Sequence, residues 1–227
     1  MQRRYHPLRA SASGGQREVE LHRARLRNMA VLQDSHNRQV HADWRDQGYE
    51  YYRAVWIECA ELLDHIGWKW WRRQQRDLEQ VRLEIVDIWH FGLSDLLRAN
   101  AVNDALADHM VSRAVASQGA DLRAAVEELA LATLNRKAFD LDAFLDVMNA
   151  LPMGLDELHD IYVGKNVLNA FRQDHGYRDG SYVKTWNGRE DNAHLAEIAA
   201  GLDIARPSYA DDLYAALEAR YAAATRE

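Results

Sequence analysis

The stretch Trp56-Ile57-Glu58-Cys59-Ala60-Glu61-Leu62-Leu63 and its counterpart Leu83-Glu84-Ile85-Val86-Asp87-Ile88 decide how this chain is read. Each places two carboxylates three residues apart inside an apolar run. At about 100° of rotation per helical residue, Glu58 and Glu61 lie about 60° apart on one face, as do Glu84 and Asp87 on theirs. Val55 and Leu62 border the first pair and Val81 and Ile88 the second, so the acids sit at the margin of stripes that face a protein interior. The spacing predicts helices over Tyr51 to Ile66 and Leu78 to Leu97, separated by Gly67 and the segment Trp68 to Asp77. Acid pairs at this spacing also occur on ordinary solvated helices; repetition on two strongly apolar helices is what favours a site. Four carboxylates meeting between packed helices repel one another in a low dielectric, so a cation neutralises them or some hold protons. An all-oxygen set suits Mg²⁺, with Mn²⁺ fitting the same donors, and leaves positions open for water and phosphate oxygens.

Outward from these two runs the helical pattern continues. Helices are expected at Glu18 to Asn37, Asn103 to Val115, Ala120 to Leu134, Asp140 to Ala150, Leu155 to Asp174, Glu190 to Leu202 and Tyr209 to Tyr221. His41 to Gly48 reads as a polar connector. Between Gly176 and Gly188 the alternating residues Tyr182-Val183-Lys184-Thr185-Trp186 fit a short strand or an ordered loop. Three prolines and 12 glycines in 227 residues argue against a β-sandwich or a Pro-rich disordered chain, and 48% hydrophobic residues provide for a packed core. The expected fold is all-α: a flexible tail over residues 1–17, then a single helical domain over residues 18–227.

Charge and cysteine content narrow the function classes. A net charge of −7 disfavours nucleic-acid polymers, which need a broad basic surface, although a local cluster can still hold a small anion. No apolar run approaches the roughly 20 residues of a membrane span. The single Cys59 excludes an intrachain disulfide or a cysteine-built metal site and fits a reducing compartment. The tail lacks the apolar centre of a secretory signal. Its arginines and serines resemble an organelle transit peptide, but it is short, and a cytoplasmic location is expected.

A second constellation lies between Gly164 and Asn192. Lys165, Asn169 and Arg172 fall four and three apart on one helical face, and Arg178, Lys184 and Arg189 continue the donors. In an acidic chain this local surplus fits a phosphate chain; a solvated basic face is the plainer alternative. Gly164-Lys165 is not a P-loop, since His159 stands at the first glycine position and Asn166 at the Ser/Thr position. No Rossmann fingerprint, serine elbow or second cysteine points to covalent catalysis, so an enzyme of this sequence activates water. A rival metal reading, Asp87 with His90 and Asp156 with His159, resembles the Glu-x-x-His pairs of di-iron bundles but lacks their glutamates. His90 is better read as a core histidine.

Taken in order, these residues resemble the dimeric all-α dUTP diphosphatases, within the all-α nucleotide pyrophosphatases. The likeness runs over Leu32-Gln33-Asp34-Ser35-His36-Asn37, then Trp56 to Ser94 with Gly67-Trp68-Lys69-Trp70-Trp71, then Gly164 to Asn192. The Lys-Asn-x-Leu-Asn-x-Phe-Arg and Trp-x-Gly-x-Glu-Asp-Asn strings are its most specific parts. The resemblance implies a multi-helix bundle acting as a homodimer on dUTP, and dUDP with it. It implies Glu58, Glu61, Glu84 and Asp87 as ligands for two or more Mg²⁺ ions, with Lys165, Arg172, Tyr177 and Lys184 on the phosphates. Gln33, Asn169 and Asn192 are expected at uracil or deoxyribose, and Asn37 joins this substrate-binding set. Trp68, Trp71 and Phe91 are expected as aromatic walls for the base. The expected chemistry is attack by a water that Glu61, or else Glu58, deprotonates. Two alternatives stay open: a dCTP or broader nucleotide pyrophosphatase on the same fold, and a non-catalytic helical dimer that uses the acids for subunit contacts.

Overall fold

A computed structural model describes residues 12–114 and 121–225. Among these the chain forms α1 (Ala12–Val40), a 3₁₀ turn (Trp44–Asp46), α2 (Tyr51–Ile66), α3 (Leu78–Arg98), α4 (Asp104–Ala114), α5 (Leu122–Arg136), α6 (Leu141–Ala150) and α7 (Leu155–Asp174). A two-stranded hairpin follows, β1 (Thr185–Trp186) and β2 (Arg189–Glu190), and then α8 (Asp191–Ala199) and α9 (Tyr209–Ala224). The fold is all-α, as its composition implies. No described helix is long and apolar enough to cross a membrane.

The helix α3 is the hub. Nearly its whole circumference is buried, from Val81 through Ile85, Ile88 and Trp89 to Leu93. It packs most extensively on α2 and also meets α1 and α7. Each fully buried Leu, Ile or Val contributes about 1.5–3 kcal/mol relative to exposure, so this helix is held by tertiary burial more than by intrinsic propensity. Its start is fixed by Asp77, whose carboxylate accepts the backbone N–H groups of Glu79 and Gln80 at 3.2 and 3.1 Å. The preceding α2 stops at Gly67, where φ is +84°. Gly92 allows a close approach: a Cβ there would lie 2.6–2.7 Å from the Phe139 ring.

Two apolar cores result. The larger joins α1 to the first half of α7 and includes Val55, Leu62, Trp89, Phe144, Leu158 and Tyr162. The smaller comprises the second half of α7, the hairpin, α8 and α9, around Phe171, Tyr182, Trp186, Leu195 and Leu213. The hairpin turns at Asn187-Gly188, both with positive φ (48° and 75°), the geometry of a type I′ turn.

Two expectations need correcting here. Residues 12–17 are helical rather than part of a tail, because added turns propagate cheaply on a helix already anchored by Leu26 and Met29; residues 1–11 of that tail lie outside the described residues. The polar connector at His41 to Gly48 carries one strong apolar anchor, Trp44, which is 1% exposed and donates its indole N–H to Asp34 at 3.0 Å. Val115 and Ala120, expected at the ends of two helices, also fall outside the described residues.

Candidate active site

The acids of α2 and α3 meet as three, with the fourth beside them. Carboxylate oxygens of Glu58, Glu84 and Asp87 all lie within 4.8 Å of one another. Glu84 is buried, while Glu58 and Asp87 are half-buried. Glu61 lines the same cavity but is exposed and stands outside the triad, so the expected four-acid centre is a triad plus a rim carboxylate. The 60° between Glu58 and Glu61 on α2 is enough to turn one inward and leave the other at the edge.

The triad is electrostatically strained. Two unit charges about 5 Å apart repel by roughly 3 kcal/mol at an effective dielectric near 20. Burial, followed by the charges of Asp87, Glu84 and Glu61, pushes the Glu58 carboxyl well above the ordinary glutamate range. Burial and Asp87 push Glu84 up too, against the opposing pull of Lys165. A hard divalent cation fits this donor set: it is all oxygen and close-set, and it carries more negative charge than its one ammonium neighbour offsets.

That ammonium is Lys165, 1% exposed on α7. Its Nζ donates to Asp87 Oδ2 at 2.7 Å and to Asn192 Oδ1 at 3.1 Å. Two turns along the same face, Arg172 donates to Asn169 Oδ1 at 3.2 Å and grips Asp191 through Nε and Nη2, both at 2.8 Å. Triad and basic face open into one cavity of about 810 Å³. Gln33, Asn37 and Phe91 line it together with Lys165, Asn169, Arg172, Tyr177, Lys184 and Asn192. A nucleotide-sized molecule fits such a volume.

Trp68 and Trp71 are not on this wall. Gln74 accepts the backbone N–H groups of Trp68 and Lys69 at 3.0 and 2.8 Å, and Asp64 accepts the Trp68 indole N–H at 2.7 Å, which turns the loop outward. Trp70 at its tip is 89% exposed. The aromatic surface of the cavity comes instead from Phe91 and Tyr177 with Trp44, Tyr49 and Tyr51. The rival metal reading dissolves as well, since Asp156 pairs with Arg25 and His22 while His159 Nδ1 lies 3.0 Å from Asp160.

A buried polar chain lies beside Phe91, and its direction is fixed from one end. Ser94 Oγ donates to the His90 carbonyl at 2.9 Å, so it accepts from Asn37 Nδ2 at 3.0 Å. Asn37 Oδ1 then accepts from Gln33 Nε2 at 3.0 Å, and Gln33 Oε1 accepts from Tyr162 OH and from His90 Nδ1–H, both at 2.8 Å. His90 is thereby the Nδ1–H tautomer, kept neutral chiefly by burial. Its Nε2 lone pair has no partner among the described residues.

The matched family decides what this cavity belongs to: a family model described as dUTPase covers residues 25–177. The chain belongs to the dUTPase family. It is an enzyme of the dUTP diphosphatase type, and its all-α fold is the one expected of the all-α dUTPases. No curated protein matches the chain. The dUTPase match takes in the triad, Lys165, Arg172 and Tyr177, whereas Tyr182, Lys184, Asp191 and Asn192 lie beyond it. Sequence reasoning missed Asp191, His65, Tyr162 and Ser94. The ring Nε2 of His65 is 3.4 Å from Glu84 Oε1. The alternation of small polar residues on α1 and α3 gives no hint of such a chain until the two helices are brought together.

Proposed function

We propose that the protein hydrolyses dUTP to dUMP and pyrophosphate, and dUDP to dUMP and phosphate, in a Mg²⁺-dependent reaction. The observation that carries this reading is the 2.7 Å contact between Lys165 and Asp87, which joins an oxygen-only acid triad to a donor-lined wall within one cavity. Glu58, Glu84 and Asp87 are the residues that would hold the ions, with Glu61 at the rim. Bound there, Mg²⁺ would supply charge neutralisation of the phosphate oxygens and a lowered pKa for water.

The chain's own groups do the rest. Glu61, outside the triad yet on the cavity wall, accepts the proton of the attacking water; Glu58 is the second candidate. Lys165, Arg172 and Lys184 stabilise charge that builds on the transferring and leaving oxygens. Phe91 and the tyrosines Tyr49 and Tyr51 offer apolar surface to the nucleoside. His90 lines the cavity and keeps a partnerless Nε2 acceptor buried behind its surface; a base that reaches this atom is favoured as uracil over cytosine, because N3 of uracil carries a proton and N3 of cytosine does not. The test is turnover of dUTP, dUDP, dCTP, dTTP and UTP with Mg²⁺, Mn²⁺ or chelator. Preference for dCTP, or turnover unaffected by chelator, rejects the reading.

We further read the protein as a cytoplasmic homodimer. Support for pairing comes from exposed Trp70 and Trp71 beside Arg72, Arg73 and Arg76, which have no ion-pair partner among the described residues. On α5 the exposed Leu131 and Leu134 stand beside exposed Glu127 and Glu128, a surface of complementary charge. Light scattering on the wild type and on Trp70→Ser tests it; a monomeric wild type rejects it.

A further inference from the structure

Arg172 is not a free cation on a wall. A guanidinium has five N–H donors in a fixed fork. Nε and one Nη2 proton go to the two oxygens of Asp191 at 2.8 Å each, the other Nη2 proton points to Asn192 Oδ1 at 3.4 Å, and one Nη1 proton goes to Asn169 Oδ1 at 3.2 Å. A single Nη1–H is left over. Asp191 itself is 0% exposed and is also held by the Tyr182 hydroxyl, which donates at 2.8 Å to Oδ2, the oxygen that Arg172 Nε meets. Its backbone N–H is tied to the Lys184 carbonyl at 2.9 Å. Tyr182 in turn stacks on Tyr221 of α9, with ring centroids 5.5 Å apart.

We propose that Asp191 is a positioning residue that orients Arg172, so that its one uncommitted N–H is presented to the phosphate chain, with Tyr182 as its brace. The inference rests on the nucleotide-hydrolysis reading above and assigns work to residues beyond the part of the chain the family match covers. Asp191 also offsets the charge of Arg172, so the pair presents a directed donor in place of a bare positive charge. A burial cost on Asp191 is outweighed by the hydrogen bonds and charge of Arg172, which keep its carboxyl below the ordinary range.

The experiment is a double-mutant cycle on the full-length protein with Asp191→Asn and Arg172→Lys, reading kcat and KM for dUTP together with the affinity for inorganic pyrophosphate in the presence of Mg²⁺. Asp191→Asn should lower kcat about tenfold while KM stays within about threefold, and in the Arg172→Lys background it should cost less than about twofold more. Multiplicative losses in the cycle, or a variant with lowered melting temperature and unchanged kcat and KM, overturn the proposal. If Asp191→Asn does not fold, Tyr182→Phe carries the test: a fall in kcat of about threefold that vanishes in the Arg172→Lys background supports it, and equal falls in both backgrounds overturn it. A wild type that does not turn over dUTP refutes the nucleotide reading alone; the pyrophosphate affinities, which need no turnover, then decide the role of Asp191 through the same cycle.

Discussion

Lys165 Nζ and Asp87 Oδ2, 2.7 Å apart on α7 and α3, tie the anion-binding side of the cavity directly to its acidic side. The ammonium offsets part of the triad's charge, and it competes with any cation placed there. Lys165→Met should therefore tighten Mg²⁺ binding to the nucleotide-free protein while lowering kcat/KM for dUTP by about 10²-fold, the usual loss of a preorganised charge donor. Calorimetric Mg²⁺ titration beside steady-state kinetics checks both signs.

The raised carboxyls of Glu58 and Glu84 give a pH dependence of definite sign. Folded protein without metal retains protons that the unfolded chain has already lost above the ordinary glutamate value near 4.5. Its stability consequently falls as pH rises from there through neutrality. Melting temperatures measured in chelator should decline over that window, and added Mg²⁺ should recover more at its upper end. Flat melting curves in chelator would contradict the triad.

Neutralising one triad member should separate stability from activity. Glu58→Gln is expected to be more stable than wild type in chelator near pH 8 by about 1 kcal/mol, because a repulsive buried charge is gone. The same variant should lose Mg²⁺ stabilisation and turnover. Denaturant unfolding with and without Mg²⁺ provides the comparison.

Replacing His90 by Phe keeps a flat ring against Tyr162, whose ring centroid is 4.3 Å away, and removes both the Nε2 acceptor and the Nδ1–H that Gln33 Oε1 accepts. Discrimination of dUTP against dCTP, taken as the ratio of kcat/KM values, should fall by about tenfold or more. An unchanged ratio would assign base choice elsewhere.

Gly92→Ala should destabilise the fold by about 1–3 kcal/mol, since its Cβ would enter the Phe139 ring and overpack the α3 contact. Phe139→Leu should restore much of the loss, a reversal that thermal melts can read.

Helix positions were legible where a strong apolar period met a strong stop. Expected and observed bounds coincide for α2, which ends at Gly67, and for α7, which follows Gly154. The acids on α2 and α3 and the donors on α7 could be assigned because they share helical faces. Trp68 and Trp71 could not be placed, because aromatic content says nothing about direction; Gln74 and Asp64 turn their loop outward through contacts six and four residues away. Trp44 was passed over because its neighbours are polar. The chain from Tyr162 to Ser94 joins three helices, and only packing brings its members within reach.

The helix α7 threads both apolar cores, its Leu158 and Tyr162 in one and its Leu168 and Phe171 in the other. A protein cut after residue 177, where the family match stops, would therefore leave a bare greasy strip along the end of that helix. Such a fragment keeps every member of the acid triad yet loses the scaffold under its guanidinium. The matched segment thus ends in the middle of a folding unit, and soluble, competent protein should require the chain to continue through α9.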